Sequence, residues 1–147
     1  MDINRMRKEM EEELVTDILP FWIKKMTDTA NGGFYGRITG REILIPEAEK
    51  GAVLNARILW TFSSAYRILK KDEYLVTATR AKRVIIDDFY DKEYGGVFWS
   101  LDCKGRPLDT KKQIYALGFA IYGLSEYYRA TMPSAFLKAL RNIVLIL

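Results

Sequence analysis

The chain has 147 residues, a net charge of +4 and a hydrophobic fraction of 49%, the balance of an ordinary folded protein and not of a disordered one. It holds one cysteine, Cys103, and no histidine, which excludes an internal disulfide framework, Ser-His and Cys-His nucleophile systems, and a zinc site of the usual ligands. The longest apolar run, Ile143 to Leu147, is far short of a membrane span, and the charged stretch Met1 to Glu13 lacks the apolar centre of a secretory signal, so a cytoplasmic setting without membrane partners is expected.

Five helical segments are predicted. Ile3 to Met26 places Met6, Met10, Leu14, Ile18 and Phe21 or Trp22 at helical spacing behind Asp2 as N-cap, with Pro20 set to kink or reset it. Asn31 to Ile45 has the pattern of a hairpin with Gly40 in its turn. Ala52 to Leu69 carries only Arg57 and Arg67 as charges, the pattern of a helix covered on several sides. Asp72 is the expected cap of a third helix, Glu73 to Phe89, whose inner stripe is Leu75, Ala78, Ala81, Val84 or Ile85, and Asp88 or Phe89. Val97 to Leu101 is a short strand and Lys104 to Pro107 a turn. Asp109 or Thr110 should cap a fourth helix running to about Thr131, and Ser134 a fifth that ends at Leu147.

One phrase occurs twice, 63 residues apart: Asp28-Thr29-Ala30-Asn31-Gly32-Gly33-Phe34-Tyr35 and Asp91-Lys92-Glu93-Tyr94-Gly95-Gly96-Val97-Phe98. The Gly pairs permit positive φ, so each copy predicts a tight turn into a short extended segment. The second and fourth helices align at an offset of 62, Tyr66-Arg67 with Tyr128-Arg129. Such a repeat implies an array of helical hairpins. Six units of this size need about 378 residues to close a ring, and an open array needs about three, so the chain is expected to be an incomplete array.

Arg57, inside Leu54-Asn55-Ala56-Arg57-Ile58-Leu59-Trp60, is the sharpest candidate for chemistry. A guanidinium in so apolar a helix requires an anionic or carbonyl partner. That partner is either a ligand oxygen or an acidic side chain on a neighbouring helix. Trp60, Thr61 and Ser64 share its face, whereas Asn55 does not and is expected to hold an adjacent loop. On the fourth helix Tyr115, Phe119, Tyr122 and Glu126 form an aromatic line beside Gly118. Such a line can stack on a sugar ring or simply pack helices. The carboxylates Asp87, Asp88 and Glu126 are not placed as a facing pair of the kind glycoside hydrolysis uses. The basic residues are scattered and interrupted by acids, which argues against nucleic acid, and no Gly-rich phosphate loop is present.

Five phrases in order carry a family resemblance. They are Ile18-Leu19-Pro20-Phe21-Trp22, Asn31-Gly32-Gly33-Phe34-Tyr35-Gly36, Asn55 through Ser63, Tyr94-Gly95-Gly96-Val97-Phe98-Trp99, and Ile121 through Tyr128. Over residues 3 to 131 the chain resembles the N-terminal part of cellobiose 2-epimerases, a group within the N-acylglucosamine 2-epimerase superfamily. The resemblance implies an all-α fold, an incomplete (α/α)6 toroid with short β-hairpin connections, in which residues 1–147 form part of a single domain with no second one. It implies a small sugar partner, a disaccharide with a reducing glucose, whose C2 proton moves through an enediolate with no cofactor and no metal. Arg57 matches the family's oxyanion-stabilising arginine, Tyr115 a substrate contact, and Asn55 and Trp60 fall in the same substrate-binding set. The family's two catalytic histidines have no counterpart, and its usual Gly-Asp after Ala130-Thr131 is Met132-Pro133 here. A truncation or frameshift near Met132, with loss of activity in the isolated piece, is the expectation. The alternatives are an N-acylglucosamine 2-epimerase or aldose–ketose isomerase on the same fold, and a non-catalytic helical-hairpin module that self-associates through uncovered helix faces.

Overall fold

Asp2 accepts hydrogen bonds from the backbone N–H groups of Asn4 and Arg5, which caps helix α1 (Ile3–Glu13). The computed structural model describes residues 2–132; the expected fifth segment from Ser134 lies outside the described residues. α1 runs through a π-helical turn, Leu14–Ile18, into α2 (Leu19–Lys25). The wider turn has a cause in the sequence. Pro20 has no N–H, and its ring would meet the carbonyl of Thr16 four residues back. An i→i+5 bond from the Leu19 N–H to the Leu14 carbonyl opens the ladder there. Pro20 therefore resets the helix without ending it. Leu19 is wholly buried, while Met6, Met10 and Ile18 of the expected apolar stripe are exposed.

The two Gly-Gly turns have the same geometry. In each, one carboxylate oxygen accepts two backbone N–H groups: Asp28 from Ala30 and Asn31, Asp91 from Glu93 and Tyr94. The Asp28 N–H donates to the Gly33 carbonyl and the Asp91 N–H to the Gly96 carbonyl. All four glycines have φ between +68° and +82°. The expected single hairpin from Asn31 to Ile45 is two structures, because Thr27 bridges Phe34 across the Gly-Gly turn while Ile38 bridges Leu44 around Gly40.

The other carboxylate oxygen of each aspartate receives a lysine. Lys50 Nζ lies 2.8 Å from Asp28 Oδ2 and 2.7 Å from the Gly32 carbonyl, and Lys112 Nζ lies 2.6 Å from Asp91 Oδ2. Each lysine stands just before a helix, Lys50 ahead of α3 (Ala52–Leu69) and Lys112 ahead of α5 (Ile114–Thr131). The repeat thus ties each glycine turn to the start of the helix that follows it.

Lys50 also belongs to strand β1 (Lys50–Gly51), which pairs antiparallel with β2 (Ser100–Leu101), itself paired with β3 (Pro107–Asp109). Helix α4 (Asp72–Arg83) continues as a second π-helical segment, Val84–Phe89. Two expected caps move: Lys71 precedes α4, with Asp72 already helical, and Gln113 precedes α5. Asp109 is held instead in β3, where Trp99 N–H donates to its carbonyl. On α4 the buried line is Tyr74, Thr77, Ala78 and Ala81; Leu75 is half-buried and Asp88 exposed. α3 is the centre of the core, between α4 and α5.

Burial raises the pKa of Asp28, but the Lys50 ammonium and the donors of Asn31 outweigh it and hold the carboxyl below its ordinary value. Lys112 and the turn N–H groups lower Asp91 in the same direction. A carboxylate whose pKa falls on folding contributes fully above the unfolded value of about 3.9 and loses that contribution as pH drops through the folded value. Stability should therefore be level from neutral pH to about pH 5 and fall below about pH 4. Asp28→Asn leaves Lys50 as an unpaired buried cation and should cost about 3–5 kcal/mol at pH 7, with a shallower acid limb. Urea unfolding of both proteins at pH 7 and in the acid range checks the two effects.

Candidate active site

α3 and α5 cross closely because both present small residues at the contact. A Cβ on Gly123 would stand 2.7 Å from the Ala56 carbonyl oxygen. Beside this crossing the two helices diverge into an open groove of about 620 Å³. α3 contributes Arg57, Trp60 and Thr61; α5 contributes Ile114, Tyr115, Gly118, Phe119 and Tyr122.

The aromatic wall is continuous. Tyr115 meets Phe119 edge-on at 4.9 Å between ring centroids, Phe119 meets Tyr122 edge-on at 6.2 Å, and Tyr122 stacks on Trp60 at 5.0 Å with an interplanar angle of 8°. Tyr115 and Tyr122 remain 63% and 45% exposed, so the rings pack one another and still present surface to the groove. Gly118 contributes its lack of a side chain: a Cβ there would meet no protein atom within 4 Å.

Arg57 corrects one expectation. It is exposed at the groove and makes no ion pair among the described residues. The buried salt bridge proposed as its alternative role is absent there, because its helix face turns toward the open groove and away from α4. The other helix arginine, Arg67, is the one that finds a carboxylate, donating from Nε to Glu126 Oε1 at 2.7 Å. Glu126 is buried by this pair and does not line the groove.

Trp60 and Tyr115 stand with Arg57 at the groove; Asn55 does not. Two residues of helix turn Asn55 about 200° from Arg57. It is buried, its Nδ2 donates to the Gly51 carbonyl at 2.9 Å, and its Oδ1 has no hydrogen-bond partner. Asp88 stands apart too: although the residue is exposed, partial desolvation of its carboxyl and then the neighbouring Asp87 charge raise its pKa. No carboxylate among the described residues lines the groove. Among the described residues no group of three His, Cys, Asp or Glu side chains could hold a metal ion. The arrangement can stack on an apolar sugar face and set a fixed cation beside an oxygen that gains charge. Among the described residues its lining holds neither a histidine nor a carboxylate to serve as a general base. Sequence reasoning missed Lys50 and Lys112 as the residues that position the two helices, although their offset of 62 matches that of Tyr66 and Tyr128.

Mostly helical, repeated and joined by short β-connections, the chain is a helical-hairpin protein with an arginine-and-aromatic groove. The family model of N-acylglucosamine 2-epimerase (GlcNAc 2-epimerase) matches residues 33–147, and the chain belongs to that family. A cellobiose 2-epimerase of Bacteroides fragilis is 64% identical over 137 residues, 92% of this chain and 35% of the relative. One from Ruminococcus albus is 47% identical over 126 residues, 86% of this chain and 32% of the relative. The solved cellobiose 2-epimerase of Bacillus thermoamylovorans superposes with a TM-score of 0.85 at 40% identity, over 98% of this chain and 37% of that one. The chain therefore spans about a third of the length of the curated relatives it matches.

Two glycines of α5 should respond oppositely to a methyl group. Gly123→Ala forces α5 away from α3 and should cost about 1–3 kcal/mol, with loss of the near-ultraviolet dichroism of the Trp60–Tyr122 stack. Gly118→Ala, in the interior of α5 with open space around its Cβ, should stabilise the chain by about 0.5–1 kcal/mol. Thermal melts followed at far- and near-ultraviolet wavelengths distinguish them.

Proposed function

We propose that this chain supplies the arginine and aromatic wall of a sugar 2-epimerase site, within a domain that would close as an (α/α)6 toroid. The carrying observation is Arg57, exposed without an ion-pair partner among the described residues, beside the Trp60–Tyr122 stack. The reaction is interconversion of cellobiose and 4-O-β-glucosyl-mannose by proton transfer at C2 of the reducing-end sugar. This substrate rests on the likeness to cellobiose 2-epimerases.

In the proposed reaction the ring-opened reducing sugar lies against the aromatic wall, with Tyr115 at the rim contacting its hydroxyls. Removing the C2 proton sends charge onto the C1 oxygen as an enediolate forms. Arg57 is placed to stabilise that oxygen, and because the charge develops only as the proton leaves, its contribution is greatest in the transition state. Returning a proton to the opposite face of C2 inverts the centre and restores the carbonyl. Both proton transfers require an acid–base group. The 147-residue chain contains no histidine, so those groups belong to helices that complete the toroid.

The purified chain should bind cellobiose weakly, with a dissociation constant of about 1 mM or more, and show no C2 epimerisation. Cellobionate carries a carboxylate where the enediolate charge would form. It should bind about tenfold more tightly than cellobiose through a charge-assisted bond to Arg57, and Arg57→Met should erase that preference while leaving cellobiose binding unchanged. Tryptophan-fluorescence titrations and product analysis of cellobiose incubations give the readouts. Equal affinity for the two sugars, or a preference that survives Arg57→Met, overturns the role of Arg57. Epimerised product from the chain alone overturns the assignment of proton transfer to residues outside it.

A further inference from the structure

A second cavity, of about 470 Å³, opens at the N-terminal end of α3. Three stretches distant in sequence wall it. They are the Gly40 hairpin and its exit with Arg37 and Glu49, the first turn of α3 with Val53 and Leu54, and Trp99 and Ser100 at the start of β2. Gly36 lets the exit of the hairpin return against its entry, since a Cβ there would collide with the Glu49 carbonyl. Trp99 is fixed through its backbone, donating to the Asp109 carbonyl and accepting from the Ala52 N–H, so its half-buried ring is set at the head of α3. Contacts within the chain thus build the walls.

The lining carries the groups that recognise a sugar ring. Trp99 supplies an aromatic surface for its C–H face. Glu49 Oε2 accepts from Ser100 Oγ at 2.9 Å, which orients the carboxylate and leaves Oε1 for ring hydroxyls. Neither Arg37 nor Glu49 makes an ion pair among the described residues. With Glu47 also on the lining, two carboxylates outnumber one guanidinium. That balance disfavours an anionic ligand and suits a neutral polyol, whose hydroxyls both donate and accept. The position agrees. Val53 and Leu54 precede Arg57 by four and three residues, so they lie on its face of α3. One helical turn, about 5.4 Å, separates them from the Arg57 groove, close to the spacing of successive linked pyranose rings.

We propose that this cavity holds the second, neutral pyranose ring of a β-linked disaccharide whose reducing sugar lies in the Arg57 groove. The inference rests on the reading of that groove as a sugar site. Trp99 stacks on the second ring, while Glu49 and Arg37 bond its hydroxyls. No bond is made or broken there. The cavity binds substrate and transition state alike, and so sets the preference for a disaccharide over a single hexose.

Calorimetric titration with gluconate and cellobionate separates the two sites, because both carry the carboxylate for Arg57 and only cellobionate has the second ring. The wild-type chain should bind cellobionate about three- to tenfold more tightly than gluconate. Trp99→Ala should erase that ratio by weakening cellobionate alone. Arg37→Ala, at an exposed side chain, should narrow it in the same way, and it replaces Trp99→Ala if that variant loses the wild-type helical melt. Equal affinity of the wild-type chain for the two acids overturns the proposal. So does a ratio that survives both substitutions, or a loss of gluconate affinity equal to that of cellobionate. Gluconate binding that Arg57→Met leaves unchanged is a different result: it overturns the groove reading on which the cavity rests.

Discussion

Lys50 on Asp28 is the contact on which the arrangement of these helices depends. The glycine turn after α2 has little side-chain bulk with which to hold its place, and α3 starts at a glycine that supplies no side-chain cap. One carboxylate resolves both difficulties. Its first oxygen closes the turn on backbone N–H groups, and its second takes the ammonium that stands one residue before the α3 N-cap. Burying two charges is expensive, and only a pair with its remaining hydrogen-bonding capacity satisfied recovers that cost. The bond from Lys50 to the Gly32 carbonyl meets that condition. Repetition of the device at Asp91 and Lys112 sets α5 by the same rule.

The groove follows from that placement. With the starts of α3 and α5 fixed, Gly123 lets the helices approach at Ala56, and the divergence nearer their N-termini leaves room for a wall of rings. Arg57 reaches this space because it lies on the face of α3 that neither α4 nor the α5 contact covers. A cation left without a carboxylate at an aromatic wall is poised for an oxygen that becomes anionic, which is the chemistry proposed for it.

Much of this was legible in the residues. The bounds of the second helix, the two glycine turns, the repeat and the groove face of Arg57, Trp60 and Thr61 all follow from periodicity and from the φ freedom of glycine. The cap of α5 was displaced because Asp109 had a strand pairing available that a capping rule does not see, while that of α4 moved by a single residue to Lys71. The single hairpin expected from Asn31 to Ile45 divided in two for a similar reason: the Thr27–Phe34 bridge begins upstream of the window.

By itself the sequence determined the local geometry and the inventory of chemistry: helices at 3.6-residue spacing, turns where only glycine is relaxed, an arginine with aromatic neighbours, and no histidine in 147 residues. Tertiary structure alone decided which charges are spent internally and which remain available. Arg57 and Arg67 look alike as the two charges of an apolar helix, yet one is engaged by Glu126, 59 residues distant in sequence, and the other faces open space. Lys50 and Lys112 likewise pass for surface lysines until the chain folds each onto an aspartate about twenty residues upstream. The physical reason is common to both cases. Periodicity along a helix specifies which residues share a face, but the partner of that face comes from a distant segment, and its charge and shape settle the outcome.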